Sequence, residues 1–494
     1  YDEALRQNIK DLETLYFERA VVLTQLGRNE EAKLDLHRYI GTAAPDQSRT
    51  HQQKAHLLML LEKSEDAIDS LNEALRIDPM NADCHHTQGR LMADAERWDE
   101  AEKSYSRAIN IDPDRALFYA NRGGTYIEKG DFKKGLADCE KGLKLYDHSA
   151  DLYMNKAIAL DQLDQDGALN CYDKAINLHP GHDLAHFNRS LLMLRSGHLE
   201  EGFKGYEHRW GTESFKRHEK KYPFKLWDGK SDLSDKIIFV HHEQGYGDSI
   251  QFCRYIKKLE SISSKVVLGV PKPLVECMRS VSKTCDVVST GTPVKRIDCC
   301  TPLMSLPHIF GTTLGNIPAT VPYLMPDEQK RIKWRKKLST TQKKRIGLVW
   351  SGRSKHKNDK NRSMSLEQLK RIVTPDAEFH SLQKDIRDYD HNTLMQSTNI
   401  IDHRESLIDF SETAALVSHL DLVISVDTSI VHLAGAIGVP VWVLLPFRPD
   451  WRWLDKGTTS PWYPTAELFR QNQKRDWDFV IQNLINSLSI YLNR

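Results

Sequence analysis

Residues 83–114, DCHHTQGRLMADAERWDEAEKSYSRAINIDPD, hold two helix-length stretches, Asp83–Ala95 and Asp99–Asn110, closed by Asp-Pro. Proline biases the residue before it away from helical dihedrals, so this dipeptide is a helix stop. The unit recurs along the N-terminal half. Pro45, Pro79 and Pro113 are 34 residues apart, and Pro180 follows 67 later. Ala32, Ala67, Ala101, Gly135, Ala168 and Gly202 fall at steps of 33 to 35, and Tyr105, Cys139, Tyr172 and Tyr206 at steps of 33 or 34. Gly89, Gly123, Ala157 and Ser190 share one small-residue position, where the two helices of a unit must approach closely. Such units cannot bury an apolar face alone and are expected to stack into a superhelix with a concave groove.

A 34-residue period with this pattern is the tetratricopeptide signature, with about six repeats from Thr14 to Trp210 in an all-α array over residues 1–215. Asn121, Asn155 and Asn188 hold one position on the first helix of three consecutive repeats. An amide both donates and accepts, so a groove-facing ladder of them can grip an extended peptide backbone. Polar residues on an exposed helix face are also cheap, and Thr87 fills the same position one repeat earlier. The ladder resembles that of eukaryotic protein O-GlcNAc transferases, which join such repeats to a catalytic region. The resemblance implies an acceptor protein bound at these asparagines.

The period stops around Arg209–Lys225, where Lys216, Arg217, Lys220, Lys221 and Lys225 cluster as a solvated junction. Beyond it, apolar runs alternate with helical stretches. KIIFVHH (Lys236–His242), Lys265–Val270, Asp286–Ser289 and Ile297–Thr301 make one set of strands. RIGLVWS (Arg345–Ser351), Glu378–Gln383, Ile400–Asp402, Asp421–Val426 and Val439–Leu445 make another. Two alternating sets predict two Rossmann-like α/β halves, over 216–331 and 332–494, facing a cleft. The helix expected over Asp476–Leu492 is read as packing back across both halves.

Two strand-to-helix turns carry the chemistry. In the first half, Gly245 and Gly247 allow close ligand approach, a helix is expected over Ser249–Leu259, and Asp248 starts it. Asp248 is a candidate base, or only the N-cap. His241, His242 and Glu243 are rivals at the same strand end; strand alternation sends the two histidines to opposite faces. In the second half, Thr428 and Ser429 cap a helix whose free amides and dipole suit phosphate, with His432 one turn in, either at the crevice or simply buried. The run Trp350–Arg362 follows a strand and concentrates Arg353, Lys355, Lys357, Lys360 and Arg362, suited to neutralising a diphosphate. Gln383 and Lys384 sit at another strand's carboxyl end.

The segments HHEQGYGDSIQF, GLVWSG, HSLQKD, SVDTSIVHLAGAIGVPVWVLLPF and DWRWL resemble bacterial tetratricopeptide glycosyltransferases, whose catalytic region is similar to the heptosyltransferases of family 9. The resemblance implies an α + α/β fold, an all-α superhelix followed by a GT-B pair of Rossmann-like domains. It implies catalysis by Asp248, whereas an intrinsic pKa nearer neutrality keeps a histidine, His242 or His241, as the alternative. The resemblance implies that Asp427, Thr428 and His432 bind the donor's diphosphate, while Gly245, Gly247, Ser351, Arg353, Lys360, Arg362, Gln383, Lys384 and Ser429 are donor-contact candidates by their place at turns and strand ends. Close relatives modify flagellin, which points to a protein acceptor. A lipopolysaccharide-type sugar acceptor and a non-catalytic scaffold with a degenerate GT-B fold remain alternatives.

Composition bounds the rest. Over 494 residues, Lys+Arg 69 against Asp+Glu 68 leaves a net charge of +1, so no global field favours nucleic acid or anionic membrane. Apolar runs such as Val441–Leu445 are far too short to span a membrane. The eight cysteines form no Cys-x-x-Cys and no disulfide framework, which suits a cytoplasmic protein. Asp112-Pro-Asp114 is a helix stop and Asp388-Tyr-Asp390 is read as polar loop, so no metal and no resident cofactor are expected. The nucleotide sugar is a substrate.

Overall fold

The computed structural model describes residues 12–42, 47–216, 222–338, 340–356 and 358–493; Pro45, Arg217, Lys220, Lys221 and Lys357 lie outside the described residues. The chain divides into two compact units, Tyr1–Ala185 and His186–Arg494.

The first unit is a run of helix pairs. Helices α1 (Leu12–Gln25) and α2 (Asn29–Thr42), α3 (Ser48–Leu60) and α4 (Ser64–Ile77), α5 (Ala82–Asp94) and α6 (Trp98–Ile111), α7 (Ala116–Lys129) and α8 (Phe132–Leu145), and α9 (Ala150–Gln162) and α10 (Ala168–Leu178) follow the period. Local chemistry sets their ends. Gly130 closes α7 at φ 80°, a conformation open to residues without a side chain, and Asp131 then caps α8. The small-residue position is required by packing: a Cβ on Gly89 would lie 2.7 Å from the Tyr105 ring, and one on Gly123 3.3 Å from Cys139 Sγ. Arg122 clamps Asp138 of the paired helix through Nε and Nη2 at 2.7 and 2.8 Å.

The sixth pair, α11 (Asp183–Arg195) and α12 (Leu199–Tyr206), contains the division between the units. From His186 onward it belongs to the second. Leu194, Leu199, Phe203 and Tyr206 share one apolar core with Trp451 and Trp462. The Phe203 ring meets Trp451 edge-on at 5.4 Å.

The second unit holds two all-parallel sheets. The first is ordered β1-β5-β2-β3-β4, from β1 (Lys225–Leu226), β2 (Leu233–His241), β3 (Ser263–Val270), β4 (Asp286–Ser289) and β5 (Cys299–Pro302). The second is ordered β11-β10-β9-β6-β7-β8, from β6 (Lys344–Val349), β7 (Ala377–Ser381), β8 (Ile400–Asp402), β9 (Leu422–Val426), β10 (Val441–Leu445) and β11 (Ala466–Arg470). In both sheets the order reverses beside the first long strand, at β2/β5 and at β6/β9. Those switch points are where an open α/β sheet offers a crevice at its carboxyl ends.

Four expectations need correction. The helix after β2, α13, runs Tyr246–Phe252, and a 3-10 turn at Cys253–Tyr255 interrupts it before Ile256–Glu260. Gly245 takes its N-cap position, so Asp248 lies in the first turn rather than starting the helix. The terminal helix α17 (Trp477–Leu492) does not bridge the halves. Its stripe Val480, Ile481, Leu484 and Leu488 joins Ile346, Leu348, Phe379 and Trp442 in the core of the second sheet, because that stripe completes the sheet's open face. Asp388 and Asp390 stand in a helix, Asp388–Gln396; the Asp390 carboxylate accepts from Trp350 Nε1 and Leu366 N, both at 2.8 Å. The halves are tied instead by the segment between them, where Tyr323 N and Leu324 N donate to Ala436 O. Trp334 of α14 (Glu328–Lys337) donates to Glu412 of α15 (Phe410–Val417) at 2.8 Å.

Candidate active site

Two helices, one from each half, meet at the site. Helix α16 (Ser429–Ile437) follows β9 and packs on α13 through Gly247, where a Cβ would lie 2.7 Å from His432 Cδ2. Here glycine is required by space, since no side chain fits between the two helices. The contact brings the turn bearing Asp248 beside the turn bearing Thr428.

On the first half, Asp248 Oδ2 accepts from Gly245 N at 2.6 Å, and Oδ1 accepts from Arg452 Nη2 at 2.5 Å. Arg452 comes from the other half, in the 3-10 turn Trp451–Trp453 after β10. It also donates to Gln251 Oε1 and Asp450 Oδ1, each at 2.8 Å. Burial works against its charge, but the Asp450 and Asp248 carboxylates outweigh that and hold the guanidinium above its ordinary pKa.

The rivals for the base have other partners. His242 Nδ1 lies 2.6 Å from Ser249 Oγ. His241 is buried on the other face against Tyr222 and Phe239, as strand alternation predicts. Glu243 is buried in a salt bridge with Arg209 (2.9 Å) and accepts from Met304 N at the β2/β5 switch point. Burial raises its pKa against the pull of Arg209.

On the second half, Thr428 caps α16, its Oγ1 accepting from Ile430 N at 3.3 Å; Ser429 opens the helix. Asp427 stands at the β6/β9 switch point, with its carboxyl pushed up to about 6, first by burial and then by the Asp450 carboxylate. Arg362 reaches across the switch point to donate to Asp427 O at 2.9 Å, and its guanidinium lies over Gly352, where a Cβ would come within 2.5 Å of Nη2. The Ser351–Arg362 loop is anchored by Asp359, which accepts from Arg387 and Ser363 at 2.5 and 2.7 Å. Arg353, Lys355 and Lys360 are exposed. Ser351 Oγ is buried without a partner. Gln383 binds the loop backbone: Oε1 accepts from Trp350 N and Ser351 N, and Nε2 donates to Ser351 O and Asp385 O. Lys384 donates to Arg404 O and lines a cavity of about 490 Å³ with Lys337, Asp402 and His403, at the carboxyl ends of β7 and β8.

His432 is buried beneath the helix terminus. It stacks on Trp453 at 5.5 Å, and its Nδ1 is 3.0 Å from the Tyr463 hydroxyl. Burial, then Arg452 and Arg254, push its pKa well below the ordinary value, so it is neutral at pH 7. Behind it, Arg254 of the first half donates to Tyr323 Oη and to Trp462 O, making a second polar tie between the halves.

Sequence reasoning missed Arg452, Asp450 and Arg254. Asp450 and Arg452 show locally only as an aspartate and an arginine after β10, and Arg254 lies in the turn after α13; the partners of Arg452 and Arg254 in the opposite half are distant in sequence. His356 was also passed over. Burial and Arg362 lower its pKa, and Asp450, Asp359 and Asp248 are near enough to oppose that.

In the repeats, Asn121 Nδ2 lies 2.6 Å from His86 Nε2, and Asn155 Nδ2 donates to Ala120 O at 3.2 Å, so both amides reach into the preceding repeat. Asn188 stands on α11, within the second unit.

Residues 406–487 match the family model for glycosyltransferase family 9 (heptosyltransferase), and residues 53–116 and 86–150 match that for the tetratricopeptide repeat. The chain is 23% identical over 472 residues to Protein FlbA of Caulobacter vibrioides, covering 90% of this chain and 73% of that protein. Among solved structures, a MamA protein aligns with TM-score 0.31 and 20% identity over 35% of this chain and 94% of its own. YrrB, described as a TPR protein with an unusual peptide-binding site, aligns with TM-score 0.31 and 20% identity over 38% and 97%. The chain thus carries tetratricopeptide repeats and a family 9 glycosyltransferase region. No described helix is long and apolar enough to cross a membrane.

Proposed function

We propose that this chain moves a sugar from a nucleotide-activated donor onto a hydroxyl of an acceptor protein, without a metal ion, in a GT-B crevice between its two α/β halves. One observation carries the reading: the Gly247–His432 contact sets Asp248 beside the N-terminus of α16. Asp248 takes the acceptor's hydroxyl proton, the freed oxygen bonds to the anomeric carbon, and the bond from that carbon to the diphosphate breaks. The departing charge is met by the amide end of α16 at Thr428 and Ser429 and by Arg362. Gln383 and Ser351 shape the loop, and Arg353 and Lys360 add positive charge from the solvent side. His432, neutral and enclosed, supports the helix end. His242 is the alternative base. The array recruits the acceptor, with Asn121 and Asn155 of the first unit gripping its backbone; flagellin is the acceptor class the sequence resemblance suggests.

The test pairs binding with turnover. A thermal-shift series with ADP, UDP, GDP and CMP identifies the nucleotide, since a ligand of the native state raises apparent stability by mass action. Asp248→Asn should leave that shift intact and slow transfer by about 10²-fold or more, the scale of a lost general base. Near-native transfer by Asp248→Asn, with a dead His242→Ala, would move the base to the histidine. Absence of any nucleotide shift would favour the scaffold reading.

A further inference from the structure

Arg452 donates three ways, to two acceptors on α13 of the first half and one in its own turn. Nε holds Gln251 of the first half, Nη1 holds Asp450 of its own turn, and Nη2 holds Asp248. Asp450 Oδ1 also accepts from the backbone N of Arg452 at 3.0 Å. The guanidinium lies over the Trp451 ring at 4.2 Å and near Phe252 at 5.7 Å, and the residue is 6% exposed. A side chain fixed in this way has one arrangement.

We propose that Arg452 is a positioning residue for transfer: from the second half it sets the plane of the Asp248 carboxylate so that a lone pair faces the acceptor hydroxyl. The inference rests on Asp248 being the base. Gly245 N alone fixes only Oδ2, about which the carboxylate can turn; the bond from Arg452 to Oδ1 removes that freedom. Orientation of this kind is worth a great deal, because a misplacement of about 1 Å in a catalytic group costs on the order of 10²-fold. Two carboxylates already match the charge of Arg452, which sets it apart from Arg362, whose Nη1 meets only a backbone carbonyl. Because the two partners come from different halves, Asp248 is correctly aimed only while the halves are together.

The experiment measures donor hydrolysis by the full chain. ADP-heptose, UDP-N-acetylglucosamine, GDP-mannose and CMP-N-acetylneuraminate are offered, and the donor turned over fastest is kept. Arg452→Gln should lower kcat by roughly 10- to 100-fold with the donor KM within about threefold, and Arg452→Lys should recover part of the loss. Adding Arg452→Gln to Asp248→Asn should cost nothing more, because a carboxylate that is absent needs no aiming. Multiplying losses in the double variant, or a raised KM with kcat unchanged, would overturn the proposal. If Arg452→Gln does not fold, Arg452→Lys and Asp450→Asn carry the same kcat-against-KM test. Native-rate hydrolysis by Asp248→Asn would instead defeat the base assignment itself, a separate failure.

Discussion

Gly247 is decided by a distance of 2.7 Å, the gap a Cβ there would leave to His432. Gly247→Ala should therefore push α13 and α16 apart, destabilising the second unit by about 1–3 kcal/mol and lowering turnover. Urea unfolding checks the first and donor hydrolysis the second; an unchanged unfolding midpoint would refute the tight contact. Asp427 makes a different prediction. Its carboxyl titrates near 6, and a bound diphosphate favours the protonated form. Donor affinity should thus strengthen as pH falls from about 8 to about 6, and Asp427→Asn should flatten the trend. Calorimetric titration with the intact nucleotide sugar measures it. The turns that carry Asp427, Thr428 and Asp248 were legible in the sequence because strand-to-helix turns advertise themselves locally. Arg452 was not: it meets Asp248 across 204 positions, and no local pattern encodes such a pairing.

Among the elements, the long buried strands were readable as apolar runs, and β4 and β8 fall where those runs begin and end. The exposed two-residue β1 has no pattern to find, and β11 alternates too briefly to stand out. Helix α17 was recognised by its spacing but given the wrong surface, since periodicity reveals that a stripe is buried and not what covers it. The loop Ser351–Arg362 reads as basic in the sequence, whereas its anchoring at Ser351 by Gln383 and at Asp359 by Arg387 does not. Gln383→Ala removes three contacts to the start of the loop, at Trp350 N, Ser351 N and Ser351 O, and one to Asp385 O. It should weaken nucleotide binding by about tenfold while changing kcat at saturating donor far less. A large fall in kcat with unchanged affinity would show that the amide touches the reacting groups.

Across the whole molecule, buried neutral histidines set a common pH response. Burial holds His86 and His403 down at about 4, lowers His380 too, and takes His432 well below the ordinary 6.5. The unfolded chain binds these protons first. Stability is therefore fully present above about pH 6.5 and is lost as pH falls toward 4, by up to about 1.4 kcal/mol per pH unit for each such group. His403→Gln should remove one group's share of that slope, read from urea midpoints between about pH 7 and pH 5; an unchanged slope would mean His403 already carries its proton when folded. The count of helix pairs and the two-sheet architecture were legible, because period and alternation are global signals. The seam at His186 was not, since the sixth pair keeps the period of its neighbours while its apolar side joins a different core.

That sixth pair makes chemical periodicity and folding cooperativity part company. Phe203 and Tyr206 lie against Trp451, the immediate neighbour of Arg452, and Arg209 closes the same corner over Glu243. A solenoid ordinarily ends in a polar terminal repeat that shields its last apolar surface. Here the last pair of the period, from His186 onward, instead contributes its apolar side to the core of the second unit. A transplant of the catalytic half onto a foreign recruiting array must therefore carry α11 and α12 with it. A cut at the end of the visible period, near Lys216, would strip Phe203 and Tyr206 from the turn that holds Trp451 and Arg452.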